Sequence, residues 1–369
     1  MSARAPATPA PGCDTAARLR AGLDRDATAG TIRALVVGET GRRDSLALVR
    51  VPAPAAGPGQ ILVRVHAAAL NFPDLLMIDG KYQIRPPAPF VLGKDAAGEV
   101  IGLGAGAEGV VIGDRVLVQT HYGAFADVIA VDAAQAFRLP PQVGFVDAAA
   151  FGLVYKTAWL ALADRAGLRP GDRVLVTGAA GGVGLAAVQT ARALGAGTVI
   201  AGLTTLDKAP AVLAAGADAV VDTGAAPEAA RARISALTDG HGIDVALDVL
   251  GGAAFDLALK TLAWKGRLIS AGYASGDIPA ARANLLLLRN AGVLGFSSNT
   301  YDEQAPELVR AAFDQLFALL VAGRLRPVIH AALEVEAFAR AFDALAGRRV
   351  VGKVVLTFHP SRSSPPLGD

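Results

Sequence analysis

The apolar run Val174-Leu175-Val176-Thr177 passes without a gap into Gly178-Ala179-Ala180-Gly181-Gly182-Val183-Gly184, and a helix-compatible stretch follows at once. A strand that turns directly into a helix leaves the first N–H groups of that helix, and the positive end of its dipole, facing the end of the strand. Strand and helix both bury their apolar faces in a sheet covered by crossover helices, so the turn constrains the chain to an α/β architecture. Val183, Ala187, Ala191 and Leu194 recur at helical spacing, which gives one face to the sheet, and Gly195 supplies the stop. The same turn suits a diphosphate: Gly181 lets the backbone approach phosphate oxygens, and Gly184 lets the helix pack closely on its strand. Ala179 stands where the usual GxGxxG pattern has its first glycine.

Strands are expected at 174–177, 198–203, 219–222, 244–249, 267–271 and 293–296, alternating with amphipathic helices, and six such strands complete a doubly wound parallel sheet of the Rossmann type. From Thr31 to about Val131 the texture differs. Short runs such as Ile61-Leu62-Val63-Arg64-Val65 and Asp114-Arg115-Val116-Leu117-Val118, broken by Gly and Pro, predict a small, mostly antiparallel β domain. After Asn299 a long helix (306–322), a strand (328–331), a further helix and a strand (353–358) are expected to return to that domain. The expected organisation is a disordered extension over 1–30, a β catalytic domain over 31–156 and 300–360, a Rossmann domain over 157–299 and a loose tail over 361–369.

With 369 residues and 53% hydrophobic content the chain can bury two ordinary cores. A formal charge of +2, with both signs interspersed, offers no basic stripe for nucleic acid and no polybasic membrane segment, so small-molecule partners are expected. Cys13 is the only cysteine, which excludes an intrachain disulfide and a multi-cysteine metal cluster and suits a reducing, cytoplasmic location. Stretches such as 285–288 fall far short of the roughly 20 apolar residues that cross a bilayer, and no membrane span is expected. The Ala-, Pro- and Arg-rich start lacks the continuous apolar core of a secretory signal.

The end of the second strand refines the cofactor. NAD recognition calls for a carboxylate there, whereas this chain reads Gly202-Leu203-Thr204-Thr205-Leu206-Asp207-Lys208, with no acid before Asp207. Thr204, Thr205 and the Lys208 ammonium would meet a 2′-phosphate, which favours NADPH; alternatively Thr205 caps a helix and Lys208 is simply solvated.

Ala-Ala-Leu-Asn-Phe-Pro-Asp (68–74), Gly80-Lys81-Tyr82-Gln83, Gly113-Asp114-Arg115-Val116 and Ala179-Ala180-Gly181-Gly182-Val183-Gly184 occur in order, and together they resemble the zinc-free quinone oxidoreductase branch of the medium-chain dehydrogenase/reductase superfamily. The resemblance runs from about Ile32 to Phe358 and implies a GroES-like β domain beside the Rossmann domain, and a homodimer. Zinc-dependent relatives hold catalytic metal with Cys, His-Glu and a second Cys or Asp. The corresponding positions here carry Asn71, Lys94-Asp95 and Leu153, of which only Asp95 is a zinc-ligand type, so no metal is expected.

The resemblance places Asn71 and Tyr82 beside the nicotinamide, as candidate catalytic residues, with Tyr155 and Thr157 at the domain junction; Asn71, Tyr155 and Thr157 are also candidate cofactor contacts. Tyr82 can donate to a developing oxyanion, or it is aromatic packing in a loop; Asn71 can instead stabilise a turn. Lys94 either stabilises an oxyanion or pairs with Asp95 or Asp74 and shapes the pocket. Besides Ala180, Gly181, Gly182, Val183 and Gly184, the candidate cofactor contacts are Gly251, Gly272, Tyr273, Phe296, Ser298 and Lys353, the last toward the phosphates, although turn chemistry or a solvated strand start explains several equally well. His121 and His241 are expected at the surface. The activity implied is NADPH-dependent hydride transfer to a quinone or α,β-unsaturated carbonyl. The rival readings are an enoyl-thioester (acyl-CoA) reductase and a non-enzymatic cofactor-binding protein with a structural or RNA-related role.

Overall fold

The computed structural model describes residues 30–358 apart from Ala225. The expected N-terminal extension, Cys13 and the C-terminal tail lie outside the described residues.

The first part is built from β1 (Thr31–Val37), β2 (Leu46–Pro52), β3 (Gln60–Ala69), β4 (Phe90–Val91), β5 (Asp95–Leu103), β6 (Arg115–Gln119), β7 (Val128–Asp132) and β8 (Ala136–Arg138). All of their pairings are antiparallel. β1, β2 and β4 form a small sheet of their own, and the others share a larger one.

The second part holds β9 (Arg173–Thr177), β10 (Thr198–Leu203), β11 (Ala219–Asp222), β12 (Ile243–Asp248), β13 (Leu262–Ser270) and β14 (Gly292–Gly295), all parallel, in the order β11-β10-β9-β12-β13-β14. That order reverses beside β9, and ligands of doubly wound sheets sit outside the strand ends at such a point. Both faces of this sheet are buried: Val174 and Val176 point to the core shared with the first part, and Leu175 to a second core with Ile200, Ala246 and Leu268. The chain then returns, as β15 (Ile329–Glu334) and β16 (Lys353–Thr357), and β16 pairs antiparallel with β3.

The helix Phe145–Trp159 runs between the two sheets and continues into a π-turn over Leu160–Arg165. Over 145–165 it is long and apolar enough to cross a membrane, yet 72% of its most apolar window is buried inside the molecule. It is the spine of the shared core, where Ala148, Ala149, Phe151 and Ala158 have no exposed surface.

Candidate active site between the two sheets

The glycine-rich turn leaves β9 at the switch point. Gly178 takes a left-handed φ of 60°, and the helix Gly182–Ala193 begins at Gly181 without any side-chain cap. Its first N–H groups are thus left for a ligand, and a diphosphate fits that chemistry. Two glycines here answer to internal packing. A Cβ on Gly184 would lie 2.2 Å from the Gly178 carbonyl oxygen, and one on Gly182 would lie 2.9 Å from Cδ of Lys353. Gly181 is different, because its Cβ would touch only the Gly178 oxygen, at 3.4 Å. Its side is open, as close approach of a phosphate requires. Ala179, in place of the first glycine, is fully buried.

At the end of β10, Thr204, Thr205, Leu206 and Asp207 are exposed. Thr205 stands at the N-cap position of the short helix Leu206–Lys208, with Asp207 in its first turn, and its hydroxyl makes no capping hydrogen bond. The Lys208 ammonium donates to the carbonyls of Arg348 (2.7 Å) and Val350 (3.4 Å), which places it beside this strand end rather than loose in solvent.

Between the sheets lies a polar cluster. Asn71 is 4% exposed, and its carboxamide is fully engaged. Nδ2 donates to the Ala69 carbonyl (3.1 Å) and to Oδ2 of Asp95 (3.0 Å), and Oδ1 accepts from the Lys353 ammonium (2.6 Å). Asn71 therefore organises the site rather than facing a substrate. Asp95 also accepts from Gln119 Nε2 (2.9 Å) and from the Leu153 N–H (3.0 Å). Lys353, expected at the phosphates, is corrected: its stem passes the glycine-rich turn, and its buried ammonium ends on Asn71 and the Leu70 carbonyl (2.6 Å). Asp74 accepts the Asn71 N–H (2.7 Å) through Oδ2, while its buried Oδ1 has no partner, and burial pushes its carboxyl up to about 7 against the opposing pull of that N–H, Lys94 and Lys353.

Lys94 does not close the expected ion pair with Asp95 or Asp74. Its ammonium donates to the His121 carbonyl (3.2 Å) and stands 5.5 Å from the centroid of the Tyr82 ring. The side chain is 3% exposed, and burial holds the amine below its ordinary value although Asp74 and Asp95 raise it from a distance. The Tyr82 hydroxyl accepts from Asn299 Nδ2 (2.9 Å), a bond that joins the two halves of the molecule. Burial raises the Tyr82 phenol, and the Asn299 bond opposes that rise.

A cavity of about 230 Å³ opens beside this cluster, with Lys94, Gln119, His121, Lys156, Asn299 and Asp302 on its polar side. Lys156 is 1% exposed and holds both oxygens of Asp302 (2.6 and 2.7 Å). The helix Ser298–Gln304 carries Asn299 and Asp302 on one face, to Tyr82 and Lys156 respectively. Lys156, Asn299, Asp302 and Gln119 were not singled out from sequence, because nothing local marks residues that converge from three elements. His121, expected at the surface, is 39% exposed at its side chain and lines this cavity.

Tyr155 is also corrected. It is buried, stacked on Phe151, with its hydroxyl between Gln189 Oε1 (2.9 Å) and the Arg326 carbonyl (2.8 Å), so it is a core residue with nothing left for a cofactor. Thr157 is buried in the same helix. Gly251 (φ 75°) and Gly272 follow the carboxyl ends of β12 and β13; Tyr273 is 44% exposed, Phe296 packs on Tyr301, and Ser298 Oγ is buried without a partner.

Comparison with known proteins agrees with this architecture. Residues 57–141 match the alcohol dehydrogenase GroES-like domain, and residues 182–314 match the family described as zinc-binding dehydrogenase. The quinone oxidoreductase-like protein 2 homolog of Nematostella vectensis is 36% identical over 302 residues, 81% of this chain and 82% of the relative. The human synaptic vesicle membrane protein VAT-1 homolog is 32% identical over 355 residues, 90% and 88% of the two chains. Among solved structures, Escherichia coli quinone oxidoreductase complexed with NADPH superposes with a TM-score of 0.81 at 29% identity, covering 88% of this chain and all of that one. The chain belongs to the quinone oxidoreductase branch of the medium-chain dehydrogenase/reductase superfamily.

It is thus an oxidoreductase of that superfamily with a GroES-like and a Rossmann domain. The resemblance sets Asn71, Lys94-Asp95 and Leu153 at the places of a catalytic zinc's ligands. Here Asp95 is enclosed by three neutral donors and Lys94 brings a positive charge, and among the described residues no three His, Cys, Asp or Glu side chains gather. This donor set does not fit a zinc ion.

Proposed function

We propose that this oxidoreductase is an NADPH-dependent, metal-free reductase of quinones or α,β-unsaturated carbonyls. The observations that carry this reading are the uncapped helix start with its open Gly181 at the switch point, and a cavity in which the nearly buried Lys94 ammonium has no carboxylate partner among the described residues. The helix Phe145–Trp159 links the two, with Val154 against Gly182 and with Leu153 and Lys156 on the cavity wall. NADPH would be held by residues 180–184, by Thr204, Thr205 and Lys208 at the 2′-phosphate, and by the loops at Gly251 and Gly272; when bound it supplies a hydride. Lys94 acts on the acceptor. Its N–H groups stabilise the negative charge that develops on the acceptor oxygen, and then transfer one proton to the reduced product. The acceptor gains a hydride and a proton, NADP⁺ is left, and the Lys94 amine recovers its proton from solvent through the cavity mouth. Tyr82 packs under the ammonium, Asn71 and Lys353 hold the wall behind it, and the enclosure limits water.

The homodimer belongs to this reading as well. β14 is an open sheet edge, and Ile278, Leu287 and Leu288 on nearby segments are more than 70% exposed, a surface that a second copy of the chain would cover.

Following NADPH oxidation against quinones, enones and acyl-CoA substrates tests the proposal. Turnover of enones or quinones supports it, and turnover confined to acyl-CoA substrates favours an enoyl-thioester reductase. Tight NADPH binding without turnover of any acceptor favours the non-enzymatic reading.

A further inference from the structure

The cavity beside Lys94 has a charge imbalance. Of the cations around it, Lys156 is neutralised by both oxygens of Asp302. Lys94 and Arg310 have no carboxylate within ion-pair distance among the described residues, and each donates only to a backbone carbonyl, of His121 (3.2 Å) and Ala134 (3.2 Å) respectively. Asp74 and Asp95 stand behind Lys94 but accept other donors. The remaining acid at the wall, Glu303, is 59% exposed and lies 4.0 Å from His121 Nε2. Burial, followed by the charge of Lys94, holds that imidazole below its ordinary value, so it is neutral near pH 7 and makes no ion pair. The other side of the cavity is apolar: Phe137, Leu153 and Val309 line it, and the Arg310 guanidinium sits 5.5 Å from the Phe137 ring centroid.

Lys94 is buried, where a charge attracts an anion more strongly than it would in water, and Arg310 stands at the exposed rim, where a guanidinium fixes a carboxylate through paired, charge-assisted hydrogen bonds. The space also limits size. A void of about 150 Å³ accepts benzene, so one of about 230 Å³ takes a single ring or a short enone with a small substituent.

We infer that the acceptor is itself an anion: a small quinone or enone bearing a carboxylate, which is seated on Arg310 while the carbonyl to be reduced faces Lys94. This rests on the reductase reading above and adds the substrate class. Arg310 acts here as a specificity residue and takes no part in hydride or proton transfer.

A matched pair of probes tests it. 4-Oxopent-2-enoate and pent-3-en-2-one share the enone and differ by a carboxylate in place of a methyl group. With NADPH and the full-length protein, kcat/KM is expected to favour the carboxylate by about 10- to 100-fold, the worth of a charge-assisted hydrogen bond. Arg310→Ala and Arg310→Gln should abolish that preference through KM, leave kcat for pent-3-en-2-one unchanged and leave the thermal midpoint unchanged, since Arg310 is exposed. Equal kcat/KM for the two probes, or a preference that survives both substitutions, would overturn the inference while leaving the reductase reading intact. If neither probe is reduced, turnover of quinones decides the reductase reading and calorimetry decides the subsite. Saturable binding of 4-oxopentanoate to the NADP⁺ complex that is lost in Arg310→Gln upholds it, and absence of such binding overturns it.

Discussion

Lys94, Lys156 and Lys353 are all at most 5% exposed, and burial lowers the proton affinity of each. Their neighbours assign them different work. Lys156 is closed by Asp302 and Lys353 by Asn71 and a carbonyl, whereas Lys94 keeps N–H groups for the cavity. Lys94→Met should therefore lower kcat by about 100-fold or more in steady-state NADPH oxidation, the usual contribution of a positioned acid, with little change in NADPH affinity. Lys208→Ala should raise KM for NADPH and leave KM for NADH alone; an unchanged ratio would remove Lys208 from the 2′-phosphate. Asp74 gives a pH signature. Its folded value of about 7 lies above the ordinary 3.8, so its contribution to stability is fully present below about pH 4 and is lost as pH rises through 7. Thermal midpoints measured from pH 4 to 8 should fall in that window, and Asp74→Asn should flatten the fall. Single residues were the least legible part of the sequence. The sequence marked Lys94 as a departure but could not exclude an Asp95 pair, and Tyr155 passed for a cofactor contact because the Gln189 and Arg326 groups that engage it are distant in the chain.

Elements were legible wherever a period or a turn signal spoke locally. Five of the six parallel strands fall within one residue of their expected places, because a short apolar run marks each; β13 begins five residues early, where Trp264, Lys265 and Gly266 interrupt the apolar pattern. The helix Phe145–Trp159 was not recognised as the spine, because it is apolar all round and so carries no amphipathic stripe. Within the glycine-rich turn, the structure separates glycines that the motif treats alike. Gly184→Ala drives a methyl into the Gly178 carbonyl and should cost about 3 kcal/mol or more in denaturant unfolding. Gly181→Ala meets no such contact, so it should leave stability unchanged and weaken NADPH binding, measured by quenching of Trp159 and Trp264. If both substitutions act only on stability, the turn has no role in binding.

For the whole molecule, the open edge of β14 with Ile278, Leu287 and Leu288 predicts a dimer in sedimentation experiments, and Leu287→Glu with Leu288→Glu should yield monomers. One further feature bears on how the molecule is assembled. Gly352 bridges to Gly181, its N–H donates to the Ala180 carbonyl, and Lys353 beside it reaches Asn71. The glycine-rich turn is thus completed by a segment synthesised some 170 residues later, at the start of the strand that joins the other sheet. During translation the turn leaves the ribosome long before its clamp, so the binding site matures only after the chain has doubled back. The cofactor's affinity consequently reports on the integrity of the last strand as much as on the glycines.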